Sequence, residues 1–309
     1  MEREATEYEK RQRFTPWKTT ITLFFKGYLM GFFDVIPGIS GGTIAFILGI
    51  YLRLMNAVKN ITPKKVIDTI RKPARFKTYD YDFLAVLFLG IGTAIVTSSR
   101  LIVHLLEAYQ NHTLIFFVGL ILASLKIIYN DIDHHQIKDK FFVLIGFTIG
   151  VTITFLSPLS ISDPSYLYIL IGGFLAISAM FLPGVSGSFI LLVLGIYEVI
   201  LSSLHQLRER YGVIIAFITG AILGAGFISR VISFLYKTDK SKTLYTILGI
   251  VLGTLLVPLK RIYLDAPAIT IVNLTTLGCF FFLGIVMVYV VEKGSKKKYY
   301  SEDSLNENP

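Results

Sequence analysis

A single cysteine, Cys279, in a chain of 309 residues excludes an intrachain disulfide and a thiolate metal cluster. Charge is scarce too. Asp, Glu, Lys and Arg make up 17% of the chain against 53% hydrophobic residues, and the mean hydropathy is +0.64. Ordinary soluble domains carry about 25% charged residues, so the bilayer is the solvent that fits this composition. No G-x-x-x-x-G-K-[ST] or H-E-x-x-H motif occurs, which leaves P-loop and zincin chemistry without support, and the one G-x-S-x-G match, Gly38 to Gly42, lies inside a long apolar stretch rather than at a strand-to-helix elbow. We expect no enzymatic activity, no metal and no cofactor. The N-terminal segment, 1–19, lacks the apolar core and cleavage site of a signal peptide and reads as cytoplasmic.

Long apolar runs are plentiful, and they repeat. Ile36 to Tyr51 reads IPGISGGTIAFILGIY and Leu182 to Tyr197 reads LPGVSGSFILLVLGIY, with nine of sixteen positions identical at an offset of 146. A second match at an offset of 130 aligns Ser99-Arg100-Leu101-Ile102 with Ser229-Arg230-Val231-Ile232. The blocks keep their order, so the chain is two copies of one half, 20–157 and 166–291. A longer polar insertion in the first copy accounts for the change of offset.

Each PG-x-SG block sits inside an apolar stretch of about two spans' length, 20–58 and 166–204. Pro37 with Gly38, and Pro183 with Gly184, remove a backbone donor and relax φ, so each stretch should break there. We expect a re-entrant hairpin that enters and leaves on one face; a full two-span hairpin is the competing reading. A cytoplasmic loop, 59–80, and spans within 81–157 follow the first hairpin, near 81–106, 113–129 and 141–157. Spans within 212–291 follow the second, near 212–236, 243–262 and 268–291, and 292–309 is a tail. Three spans between hairpins make the copies inverted. On this arrangement 21 Lys and Arg fall in cytoplasmic segments and at most 4 outside, which places both termini in the cytoplasm. The net charge of +9 then reflects retention of cations in inner loops, and no nucleic-acid partner is expected. The fold class is thus an all-α integral membrane protein of two inverted repeats, each a broken-helix hairpin plus three transmembrane helices.

Paired discontinuous helices between inverted repeats are the recurring plan of secondary transporters, with the site near the midplane. The second half-helices begin at Ser40-Gly41-Gly42 and Ser186-Gly187-Ser188, where unpaired amides and the helix dipole favour an anion. The serines cap the helices or donate to a ligand. Arg100 and Arg230 lie well inside apolar spans, where a charge costs at least ~2.5 kcal/mol; binding a ligand is the reading favoured for them, with snorkelling or a carboxylate partner as the alternative. Asp34 is the intramembrane carboxylate available for pairing or proton transfer, with Met180 at the matching position, and His104, one turn beyond Arg100, is a second candidate for proton coupling. Lys26 and Lys126 could assist at such a site but read first as snorkelling near the interface, and His134 and His135 as solvated. Two arginines, two sets of amides and several hydroxyls describe a receptor for a phosphate-like anion.

The segments DVIPGISGGTIAFILGIY and LPGVSGSFILLVLGIY, with the two Ser-Arg spans, resemble the polyprenyl-phosphate transporter (PopT) family, formerly domain of unknown function 368, over residues 17–293. The resemblance implies a multi-pass protein of the bacterial cell membrane. It would return undecaprenyl phosphate, an anionic prenyl lipid, from the outer to the inner leaflet for reuse in cell-wall synthesis. Membrane lipids are its expected surroundings, and a homo-oligomer is compatible with the sequence. A transporter of a small soluble anion and a phosphatase acting on the same lipid are the other classes that such a site could serve.

Overall fold

The computed structural model describes residues 17–34, 40–157, 159, 161, 163–264 and 271–303, and among them every regular element is an α-helix. The first half contains α1 (Trp17–Asp34), α2 (Gly41–Ile47), α3 (Tyr51–Lys59), the short polar helices α4 (Pro63–Arg71) and α5 (Arg75–Thr78), and then α6 (Tyr81–Ala108), α7 (Gln110–Asn130) and α8 (Ile137–Thr154). The second contains α9 (Tyr166–Phe181), α10 (Gly187–Val193), α11 (Tyr197–His205), α12 (Leu207–Thr238), α13 (Lys240–Thr254), α14 (Leu256–Leu264) and α15 (Ile271–Asp303).

Among the described residues, five stretches are long and apolar enough to cross a bilayer: Tyr81–Ser98, Gln110–Asn130, Arg208–Thr238, Lys240–Leu264 and Asn273–Lys293. The span expected at 141–157 is the exception. Its helix, α8, runs from Ile137 to Thr154 and carries Lys138, Asp139 and Lys140 in the first turn, which shortens the apolar part. The stretch 240–264 is interrupted at Leu255, because Pro258 has no amide to offer Thr254 four residues earlier.

The same local geometry recurs in both halves. Helices α2 and α10 are seven residues long and α3 and α11 nine, each pair 146 residues apart. Both short helices end alike. Gly49 (φ 66) and Gly195 (φ 68) occupy the left-handed position. The amide two residues past the cap then reaches back, Ile50 N to Ala45 O and Ile196 N to Leu191 O. This is a Schellman cap.

Glycines decide how the long helices pair. Helix α1 packs on α6 and α9 on α12, and a methyl at Gly27 or Gly220 would overlap the carbonyl of Leu87 or Leu170. The last helix of each half packs on a helix of the other half, α8 on α13 and α15 on α7. A methyl at Gly146 would overlap Thr246 O, and one at Gly119 would overlap Phe281 O. Lipid tails are as apolar as leucine, so close backbone contact through small residues is what holds such pairs. One further contact is made on one side only. Helix α12 touches α3, whereas α6 and α11 do not meet among the described residues.

Candidate anion site at the paired helix breaks

In the second half, α9 ends at Phe181 and the chain turns through Leu182-Pro183-Gly184-Val185, closed by Val185 N donating to Leu182 O at 3.2 Å. Proline at the second position and a glycine with φ 88 at the third are the pattern of a type II turn. Ser186, in extended conformation, then starts α10; its hydroxyl lies 2.8 Å from that of Ser188 and makes no cap bond. The Gly187 backbone runs close to the first arm, since a methyl there would come within 2.7 Å of Ala176 O.

The first break is built differently. Val35 to Ile39, including Pro37 and Gly38, lie outside the described residues, but both flanks are defined. Ser40 is the N-cap of α2 and accepts the amide of Gly42 at 3.2 Å. The Gly41 amide donates to Asp34 Oδ1 at 2.6 Å, while Asp34 Oδ2 is buried without a hydrogen-bond partner among the described residues. Asp34 therefore takes the place beside this helix end that an anion would take. Met180 stands at the corresponding position of the second half and offers no acceptor side chain.

The two breaks meet. Ser40 Oγ stands 3.2 Å from Met180 O and 3.0 Å from Leu182 O, one hydroxyl proton serving both carbonyls. Gly184 N donates to Thr43 Oγ1 at 2.8 Å, and Tyr51 donates its hydroxyl to Phe181 O at 3.1 Å. The ring of Tyr51 also stacks on Phe46 at 4.3 Å. Side chains of the first motif thus satisfy the backbone groups that the second break strands, as buried polar groups require.

The model of the undecaprenyl phosphate translocase-like family matches residues 30–266, a range that includes both breaks. The chain belongs to that family. A relative named polyprenyl-phosphate transporter, from Vibrio cholerae serotype O1, is 37% identical over 237 residues, covering 76% of this chain and 76% of its own. A second of the same name, from Staphylococcus aureus, is 31% identical over 245 residues, covering 74% of this chain and 83% of its own. No solved structure matches the chain.

In this undecaprenyl phosphate translocase-like protein the two arginines lie on α6 and α12, not on the hairpins that carry the breaks. Arg100 on α6 and Arg230 on α12 are both exposed, and Arg230 donates to the Gly226 carbonyl of its own helix. Among the described residues, neither hydrogen bonds to a break residue. His104 is exposed on α6. Lys26, expected to snorkel, instead donates to Leu48 O at 2.7 Å, and Tyr168 donates to the matching Leu194 O at 3.0 Å. Each half thereby caps the C-terminal end of its short helix from the first arm. His135, expected to be solvated, is exposed yet contacts Tyr245 OH at 3.0 Å and stacks on Tyr129. Lys126 lies 3.4 Å from Tyr289 OH. Cys279 is exposed in an apolar groove on α15 with Gly278 and Phe282.

Sequence reasoning missed Thr43 and Tyr51. Tyr51 closes the repeated GIY and was visible as part of the motif, but Thr43 has Phe189 as its counterpart, so the repeat gives no signal for it.

Proposed function

We propose that this protein transports undecaprenyl phosphate across the bacterial cytoplasmic membrane, returning the lipid from the outer to the inner leaflet without chemical change. The observation that carries the reading is the polar junction of the two breaks, Ser40 and Thr43 against Met180 to Gly184, in a chain whose relatives are named for polyprenyl phosphate. A phosphate crossing hydrocarbon needs donors at mid-depth, whereas the prenyl tail stays in lipid. The halves act as inverted repeats, with hairpins 20–58 and 166–204 re-entrant and both termini cytoplasmic. The distribution of Lys and Arg supports this orientation.

In this reading Ser186, Gly187 and Ser188 receive the phosphate at the second break. The first break, Ser40, Gly41 and Gly42, is released to the ligand when Asp34 takes up a proton. Arg100 and Arg230 meet the headgroup on its way in and out, as bidentate donors that stay charged at any working pH. Asp34, with His104 as the second candidate, couples the step to the proton gradient.

The direct test is binding of undecaprenyl phosphate to the purified protein, read by native mass spectrometry and thermal shift, for wild type, Arg100→Ala and Arg230→Ala. Binding by wild type that both variants weaken, and that free phosphate does not displace, is the expected result. Displacement by free phosphate would turn the reading to a soluble-anion transporter, and release of inorganic phosphate to a phosphatase.

A further inference from the structure

Helix α12 crosses α3 of the other half, and the crossing gathers positive charge. Ser233 on α12 and Asn56 Oδ1 on α3 are 3.4 Å apart and mark the seam. Arg230 and Lys237 lie three residues before and four after Ser233, on the same helical face. Lys59 lies three residues after Asn56, half-buried, whereas Arg230 and Lys237 are exposed. Burial first, and then the charges of Lys237, Arg230 and Lys65, push the Lys59 ammonium below its usual pKa, and no carboxylate offsets them.

The carboxylates nearby are committed elsewhere. Asp239 pairs with Lys242 at 2.7 Å, and Asp131 and Asp133 both pair with Lys240, at 3.6 and 2.8 Å. Asp80 pairs with Arg53, and Asp68 with Arg75. Lys65 is held by Asn60 Oδ1 and lies over the ring of Tyr79. Lys59, Arg230 and Lys237 have no ion pair among the described residues. The arrangement is not a by-product of duplication, because the offset of 130 that maps Arg230 onto Arg100 puts Glu107 where the second half has Lys237.

We propose that Lys59, Arg230 and Lys237 form a binding site for a phosphate monoester at the seam between the two halves. Three cations match a dianion and its three terminal oxygens: the Arg230 guanidinium can bind two oxygens as a fork, and the two ammonium groups act as point charges. Arg230 spends one donor on Gly226 and keeps the rest. A bound monoester links α3 to α12 and relieves the repulsion among the three cations. On the proposed topology the seam lies at the cytoplasmic end, where an arriving lipid phosphate would be handed to the inner leaflet; that placement rests on the function proposed above. A lipid headgroup and free phosphate share this chemistry.

The test uses the full-length protein in nanodiscs, with undecaprenyl phosphate, inorganic phosphate and phosphatidylglycerol as separate probes. The variants are Lys59→Gln, Lys237→Gln and Lys237→Glu, with Lys138→Gln on α8 as a control for net charge. We expect each seam variant to weaken undecaprenyl phosphate binding tenfold or more, the control to bind as wild type, and phosphatidylglycerol to bind all forms alike. Without ligand, Lys59→Gln should melt no lower than wild type, since it removes repulsion; this separates loss of a site from misfolding. Inorganic phosphate bound with the same dependence on Lys59 and Lys237 would keep the site and assign it to the free anion. Wild-type affinity in all three seam variants would overturn the inference while leaving the proposed function standing. Absence of undecaprenyl phosphate binding by wild type itself would sink the function, and the seam would then be judged on inorganic phosphate alone.

Discussion

The hydroxyl of Thr43 accepts the amide of Gly184 at 2.8 Å, so a side chain from the first motif satisfies the turn of the second. Thr43→Val keeps the shape and leaves that buried amide unpaired, at a cost of about 1–3 kcal/mol. We expect a lower melting temperature for Thr43→Val and near wild-type behaviour for Thr43→Ser. Equal melting of all three proteins would mean that the bond does not couple the breaks.

The glycines of the paired helices divide into two groups. A methyl at Gly220 would overlap the carbonyl of Leu170, whereas one at Gly92 meets nothing within 4 Å. Gly220→Ala should destabilise by about 1–3 kcal/mol, as overpacking does, and Gly92→Ala should be neutral or gain up to about 1 kcal/mol of helix propensity. Size-exclusion profiles after graded heating would rank the two variants, and the reverse order would contradict the packing of α12 on α9.

Asp239 caps α13, accepting Lys242 N at 2.9 Å and the Lys242 ammonium at 2.7 Å. Those side-chain and backbone hydrogen bonds hold its carboxyl below the usual range. A depressed carboxylate contributes stability that is present above its unfolded pKa and is lost as pH falls through the folded value. Asp239→Ala should therefore cost about 1 kcal/mol near neutral pH, as loss of an N-cap does. The gap in melting temperature from wild type should close in acid. A gap that does not change with pH would show that the carboxylate charge is irrelevant there.

Asp34 can be tested without removing its hydrogen bond. Asp34→Asn keeps an oxygen for the Gly41 amide but cannot ionise, so transport of undecaprenyl phosphate into proteoliposomes should lose its response to an imposed pH gradient. An unchanged response would assign coupling to another group, with His104→Gln as the next variant.

Local features were legible in the sequence, and long-range ones were not. Pro183 and Gly184 announce a break because their effect is confined to their own backbone, and the turn found there has the φ that glycine permits. The serines after each break were legible as helix starts for the same reason. Asp34 stood out as a buried acid, but its service to Gly41 depends on a chain reversal that no spacing records. The contacts of Ser40, Thr43 and Tyr51 with residues 180 to 184 span 130 to 142 positions, and one sequence carries no trace of which backbone group a hydroxyl will meet. Helix pairing was hidden too. Gly146 and Gly249 mark close-packing faces, yet in lipid nothing in the hydrophobic pattern names the partner.

The exchange of helices between the halves sets an order on synthesis. Helix α8 leaves the ribosome roughly 90 residues before α13, which at about 5–20 residues per second is about 5–20 s of waiting. Through that interval Gly146 and Gly150 face lipid or an insertion factor, because the backbone that will cover them has not been translated. The same holds in reverse for α15, whose partner α7 has long been in place when it arrives. A gene cut between the halves would therefore yield two fragments that each lack half of two helix pairs, and only their joint expression would restore either.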